Sequence, residues 1–184
     1  SSAAFNIEIF AYDVMNSFSQ ACTTFVGQNY GAGQLKRCRK TLFLCLIEDA
    51  VATAAAIGIV LLSCRFLLSI FNNDPAVIDL GYVRLVTIFF AYIFSMLYEV
   101  MSGYLRGFGI SLTPAILTTL GVCGVRIVWI AAVFPKSRTF ETIMTAYPVS
   151  LSLTAVLIFI ALLIAHPSRR YASKFVTQKA TDNN

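Results

Sequence analysis

An all-α, polytopic membrane bundle of five crossing helices is what this sequence predicts, and three observations predict it. Hydrophobic residues make up 58% of the 184 and charged residues only 12%, whereas soluble domains are about half apolar and about a quarter charged. The apolar residues gather in five stretches, 4–28, 42–66, 77–105, 112–134 and 142–165, each matching the ~20 residues that a hydrocarbon core of ~30 Å asks of a helix. The basic residues gather at one set of ends. Lys36, Arg37, Arg39 and Lys40 follow the first stretch, Arg106 closes the third, and Arg169, Arg170, Lys174 and Lys179 follow the fifth. If the spans alternate, these three clusters share one side, which the positive-inside rule makes cytoplasmic. The net charge of +5 therefore points to membrane topology and not to nucleic acid, which would call for basic residues interleaved with exposed aromatics.

Each span has a start or stop signal. The first ends in Gly27-Gln28-Asn29-Tyr30-Gly31-Ala32-Gly33, where Gly31 and Gly33 suit the left-handed residue that closes a helix and the basic run stops it. Between spans two and three, Asn72-Asn73-Asp74-Pro75 reads as a turn with Asp74 as N-cap and Pro75 at the first helical position. Arg106-Gly107-Phe108-Gly109-Ile110-Ser111 is a short hairpin before span four, with Pro114 early in that helix. Pro148 lies inside span five, where it removes a backbone bond and kinks the helix; a flexing point and a structural proline are both open readings. The chain divides into a transmembrane region, 1–167, and a polar cytoplasmic tail, 168–184. Five spans leave the termini on opposite sides, so the simplest expectation is that further helices precede Ser1.

Cys22, Cys38, Cys45, Cys64 and Cys123 are scattered, with no CxxC, and His166 is the single histidine; neither a disulfide framework nor a metal site is expected. No nucleophile and base arrangement suggests a catalytic residue. An enzyme is not expected, and neither is a cofactor beyond a coupling cation.

Two polar stripes stand out. In span one, Asn6, Asp13, Ser17, Gln20, Thr24 and Gln28 recur at helical spacing, and in span three Tyr92, Ser95, Glu99, Ser102 and Arg106 do the same, each within a narrow sector of a 3.6-residue period. Lipid penalises such faces, so both are expected to point inward and could wall an aqueous cavity; polar glue between packed helices is the alternative for the hydroxyl members. The acids carry more weight, because a charge near the bilayer centre costs at least ~2.5 to 3.5 kcal/mol and normally has a partner or faces a cavity. With residues 28, 42, 106 and 112 as inner ends, the rise of ~1.5 Å per residue puts Asp13 about 22 Å and Arg126 about 21 Å from that boundary. Glu99, Glu48 and Asp49 lie at roughly 9 to 10 Å. Asp13 and Arg126 are thus expected to form an ion pair or share a network. Glu99 has no depth-matched cation and has acids at its level, which suits proton or sodium binding; of Glu48 and Asp49, about 100° apart on their helix, at most one faces it.

Together the motifs resemble the multidrug and toxin extrusion (MATE) transporters. Ala21-Cys22-Thr23-Thr24-Phe25-Val26-Gly27-Gln28-Asn29-Tyr30-Gly31-Ala32-Gly33-Gln34 before a basic cluster is similar to the end of the second helix of a lobe. Ser102-Gly103-Tyr104-Leu105-Arg106-Gly107-Phe108-Gly109 with Pro114, Arg126-Ile127-Val128-Trp129-Ile130 and Tyr147-Pro148 are similar to the third-from-last helix onward of the carboxyl-terminal lobe. The resemblance implies a fold of two six-helix lobes of which this chain holds helices eight to twelve, so that it is a partial lobe whose partner is the missing N-terminal lobe. It implies export of small organic, often cationic, compounds in exchange for Na+ or H+, in a bacterial inner membrane with the basic loops cytoplasmic. Glu99 and Asp13 are then the cation-coupling candidates, Asn6, Ser17, Gln20, Thr24, Tyr92, Ser95 and Ser102 the cavity and substrate candidates, and Gly31, Gly33, Arg106, Gly107 and Pro148 structural. The acidic residue that several members carry eleven positions before the LRG arginine falls at Ser95, with Glu99 one turn later on the same stripe. Rival readings are a lipid-linked precursor flippase of the same wider superfamily, which would want several arginines in its cavity, and a non-transport membrane subunit.

Overall fold

Helix boundaries follow from the caps. In the computed structural model, which describes residues 2–71, 75–135, 140–165 and 167, α1 runs over Ser2–Gly31 and ends in two backbone bonds, from the Gly33 amide to Tyr30 O (2.9 Å) and from the Gln34 amide to Asn29 O (2.8 Å). This is a Schellman closure, which needs a left-handed residue; Gly33 supplies it at φ 71° while Gly31 stays helical. The motif recurs at the end of α3 (Pro75–Gly107), where Gly109 at φ 80° donates to Arg106 O (2.8 Å) and Ile110 to Leu105 O (3.1 Å). Pro75 is the first helical residue, as its fixed φ favours. The proposed Asp74 cap and the tail 168–184 lie outside the described residues.

One boundary departs from expectation. The basic run 36–40 is not loop but the first turns of α2, Leu35–Phe71, with Gln34 O accepting from the Arg37 and Cys38 amides. Lysine and arginine are good helix formers, so a helix of roughly 55 Å simply projects past the bilayer. Span four also departs, since it is not uniform: α4 (Leu112–Thr118) passes through a π-helical turn (Thr119–Gly124) into α5 (Val125–Ala132). The fifth rod is α6, Phe140–Ala165, with Pro148 inside it.

Among the described residues all regular structure is helical, so the all-α polytopic class holds. Four rods are long and apolar enough to cross a membrane, over Leu35–Ser63, Gly81–Gly107, Leu112–Ala132 and Thr142–Ala165. The fifth, α1, has the length, but its polar row dilutes its apolarity. α3 is the hub: it packs on α1, α2 and α6, while α4, the π turn and α5 lean on α6. Accordingly 67% of the best α3 window is buried against 6% for the span through α4 and α5. Two clusters form the interior. One joins Leu85, Ile88, Phe89 and Tyr92 of α3 to Leu151, Ala155 and Ile158 of α6; the other, at the basic end, joins Cys22 and Val26 of α1 and Cys38 and Cys45 of α2 to Val100, Tyr104 and Phe108.

Candidate functional site

Small residues let α1 and α3 meet backbone to backbone. Ser19, Thr23 and Gly27 recur every fourth residue on α1, opposite Gly103 and Gly107 on α3. A Cβ added at Gly103 would collide with Ser19 O, and one at Gly107 would lie 2.6 Å from Val26 Cβ and 3.0 Å from Thr23 O. In lipid, where burial of apolar surface does not drive association, such close packing and interhelical hydrogen bonds are what hold helices together. Gly107, expected to be structural, therefore acts by leaving space, and Gly109 makes the turn.

The seam carries a polar network. The Ser19 hydroxyl donates to Glu99 O (2.7 Å) and accepts from Arg106 Nη2 (2.8 Å). The Thr23 hydroxyl sits 2.9 Å from Ser19 O and 3.0 Å from Gly103 O. Above these, the half-buried Tyr12 hydroxyl donates to Glu99 Oε1 at 2.9 Å. Glu99 itself is only 8% exposed. Asp49 of α2, expected at the same depth, is buried as well. Asp49 is buried while Glu48 is exposed, so one member of that adjacent pair turns inward, as the helical offset requires. Thr53 donates to Asp49 Oδ1 (2.8 Å), but Asp49 Oδ2 and Ser102 Oγ are buried with no partner among the described residues. Buried polar atoms are rarely left so, and each one that is asks for a functional or solvent explanation.

The α3 stripe is inside as expected, with Tyr92, Ser95, Glu99 and Ser102 buried and Arg106 half-buried. Ser95 donates to the Tyr98 hydroxyl at 3.4 Å. The α1 row does not face it, which corrects the expectation of two stripes walling one cavity within this chain. Asp13, Ser17, Gln20, Thr24 and Gln28 are all exposed, and Ser17 and Thr24 bond back to Asp13 O (2.8 Å) and Gln20 O (3.0 Å). The physical reason is the glycine seam: only the face with Ser19, Cys22, Thr23 and Val26 is slim enough to approach Gly103 and Gly107, so the bulkier polar face turns away. The side chain of Asn6 lies outside the described residues.

A second correction concerns Arg126. No ion pair joins it to Asp13. Its Nε donates to Ser150 Oγ (3.1 Å) and its guanidinium lies 4.2 Å from the centre of the Tyr147 ring, a cation over an aromatic face. Together with Trp129 Nε1, which donates to Thr142 O (2.8 Å), it staples α5 to α6. One turn nearer the basic end, Gly121 of the π turn admits Thr154 Oγ1 where a Cβ would clash. Pro148 lies between these contacts on α6. Equal depth made Asp13 and Arg126 look like partners, but depth says nothing about which way round the bundle a residue points.

Sequence reasoning passed over Ser19 and Thr23. The four-residue recurrence of small residues on α1, read against Gly103 and Gly107, was the available signal. Among the described residues no cluster of three or more His, Cys, Asp or Glu side chains has metal-binding geometry. The arrangement buries two carboxylates, Glu99 and Asp49, near a close helix contact, and it presents a polar helix face outward.

Comparison with known proteins bears on what such an arrangement does. A family model described as MatE matches residues 1–131. Two curated relatives described as multidrug and toxin extrusion protein 1, from Pongo abelii and Homo sapiens, are each 33% identical to the chain over 122 residues, which is 65% of this chain and 21% of theirs. The chain thus spans about a fifth of the length of these relatives.

Proposed function

The chain belongs to the MatE family, and on that premise we propose that it forms part of the carboxyl-terminal lobe of an antiporter that exports organic, often cationic, drugs or toxins in exchange for Na+ or H+. The relatives' description as multidrug and toxin extrusion proteins supports the substrate class. The observation that carries the reading is the exposed polar row of α1. A membrane helix that shows Asp13, Ser17, Gln20, Thr24 and Gln28 on one face cannot present that face to lipid without loss, so it borders a wet cleft shared with a second lobe.

In this account Glu99, backed by Asp49, is where the cation binds. An ionised Glu99 accepts the Tyr12 hydroxyl; once protonated it becomes a donor with less acceptor capacity, and sodium would compete for the same oxygen. Either event loosens the grip of α3 on the outer part of α1, and that helix bears the row that meets substrate. Cation binding is thereby converted into a change in the wall of the cleft, and rocking of one lobe on the other supplies alternating access. The basic ends of the helices face the cytoplasm of an inner (plasma) membrane.

The experiment is dye efflux by the full-length protein in proteoliposomes under imposed sodium or pH gradients. Uphill dye movement driven by one gradient is expected, and Glu99→Gln should lower gradient-driven efflux at least tenfold while the protein still inserts. Undiminished coupling in that variant would remove Glu99 from the mechanism.

A further inference from the structure

At the basic end of the bundle α2, α3 and α6 leave a cavity of about 220 Å³ between them, lined by Arg39, Phe43, Tyr104, Leu162, Leu163 and Pro167. Its chemistry is divided. Arg39 is exposed at its mouth, and among the described residues no side chain pairs with it. Lys36 stands one turn before Arg39 on the same side of the helix, Lys40 follows, and both are also exposed. Four residues beyond Arg39, Phe43 is 63% exposed, and Leu163 across the gap is 47% exposed. A positive mouth therefore opens onto an apolar cleft at the basic end of the bundle.

We infer that this groove binds an anionic phospholipid, with its phosphodiester on Arg39 and Lys36 and an acyl chain laid between Phe43 and Leu163. Charge complementarity selects the anionic headgroup: the planar guanidinium fits phosphate oxygens pairwise, and basic pockets between helices at the membrane surface favour anionic lipids. The apolar cleft selects a lipid over a free phosphate, because an ion alone would leave Phe43 and Leu163 without a partner. The lipid would tie the start of α2 to the end of α6, which frame the groove from positions far apart in the sequence. The inference rests on the chain crossing a bilayer and not on the transport reading.

Native mass spectrometry of the full-length protein, released from mixed micelles of phosphatidylcholine and phosphatidylglycerol, tests it. Retained phosphatidylglycerol should exceed phosphatidylcholine several-fold. Arg39→Gln should cut that excess about fivefold, the effect of one basic residue near the membrane surface, while Arg65→Gln, about 39 Å along the same helix, should leave it unchanged. Leu163→Trp, at an exposed position where folding is not at stake, should narrow the chain path and lower retention with no change of charge. Glycerophosphoglycerol, the headgroup without chains, should not displace the lipid. Equal retention of the two lipids, equal losses in Arg39→Gln and Arg65→Gln, insensitivity to Leu163→Trp, or displacement by the bare headgroup would each overturn the assignment.

Discussion

Glu99 contributes two different acceptors to α1: its backbone carbonyl takes the Ser19 hydroxyl, and its carboxylate takes that of Tyr12. The first bond is structural, whatever the charge state; the second depends on it. Tyr12→Phe removes only the switchable one, so it should cost about 1.5 to 3 kcal/mol, the range for a hydrogen bond to a charged group, read as a lower midpoint in thermal unfolding of the full-length protein in detergent. No change in midpoint would mean that this bond contributes nothing to holding α1. At this scale the sequence was partly transparent. The spacing of Tyr92, Ser95, Glu99 and Ser102 identified a face that is indeed buried, and the low tolerance of lipid for charge singled out Glu99. The seam hydroxyls were not visible, because Ser19, which donates to Glu99 O, and Thr23, which lies against Gly103 O, look like unremarkable small residues until the glycines opposite them are known.

Between elements, the α1 and α3 seam depends on absent side chains. Gly103→Ala inserts a methyl group against Ser19 O and 2.9 Å from Ser19 Oγ, and both are already committed to the network. Overpacking of this kind costs about 1 to 3 kcal/mol, and because it pries apart the helices that carry Tyr12 and Glu99, it should lower transport as well as stability. A Gly103→Ala protein with wild-type melting and wild-type efflux would show that the close approach is dispensable. The same substitution at Gly31, where no atom lies within 4 Å of the added carbon, should be nearly silent. Element existence was legible from apolar length, and the helix closures from glycine. The early start of α2 was not, since solvated basic turns lack apolar periodicity; neither was the π turn, because widening a helix by one residue per turn over Thr119–Gly124 leaves no mark in composition.

For the whole molecule, the burial pattern is lopsided. α3 is enclosed, α2 and α6 are half wrapped, and α1 shows lipid-averse residues on its outer face, whereas α2 shows Phe43, Ile47, Val51, Ile59 and Leu62. The two exteriors call for two different surroundings: acyl chains against α2, and water or a polar partner against α1. The sequence indicated that both kinds of surface exist, but not that the α1 row turns away from α3, since azimuth around a bundle is fixed by which faces pack most closely and not by hydropathy. The most direct measurement is labelling of single cysteines with a membrane-impermeant maleimide, in full-length protein whose native cysteines have been replaced. Gln20→Cys, on the α1 row, should react readily in intact membranes, and Leu62→Cys, 91% exposed on α2, should stay unlabelled. A protected Gln20→Cys beside a reactive Leu62→Cys would mean that the polar face is not wet, and the cleft proposed from it would fall.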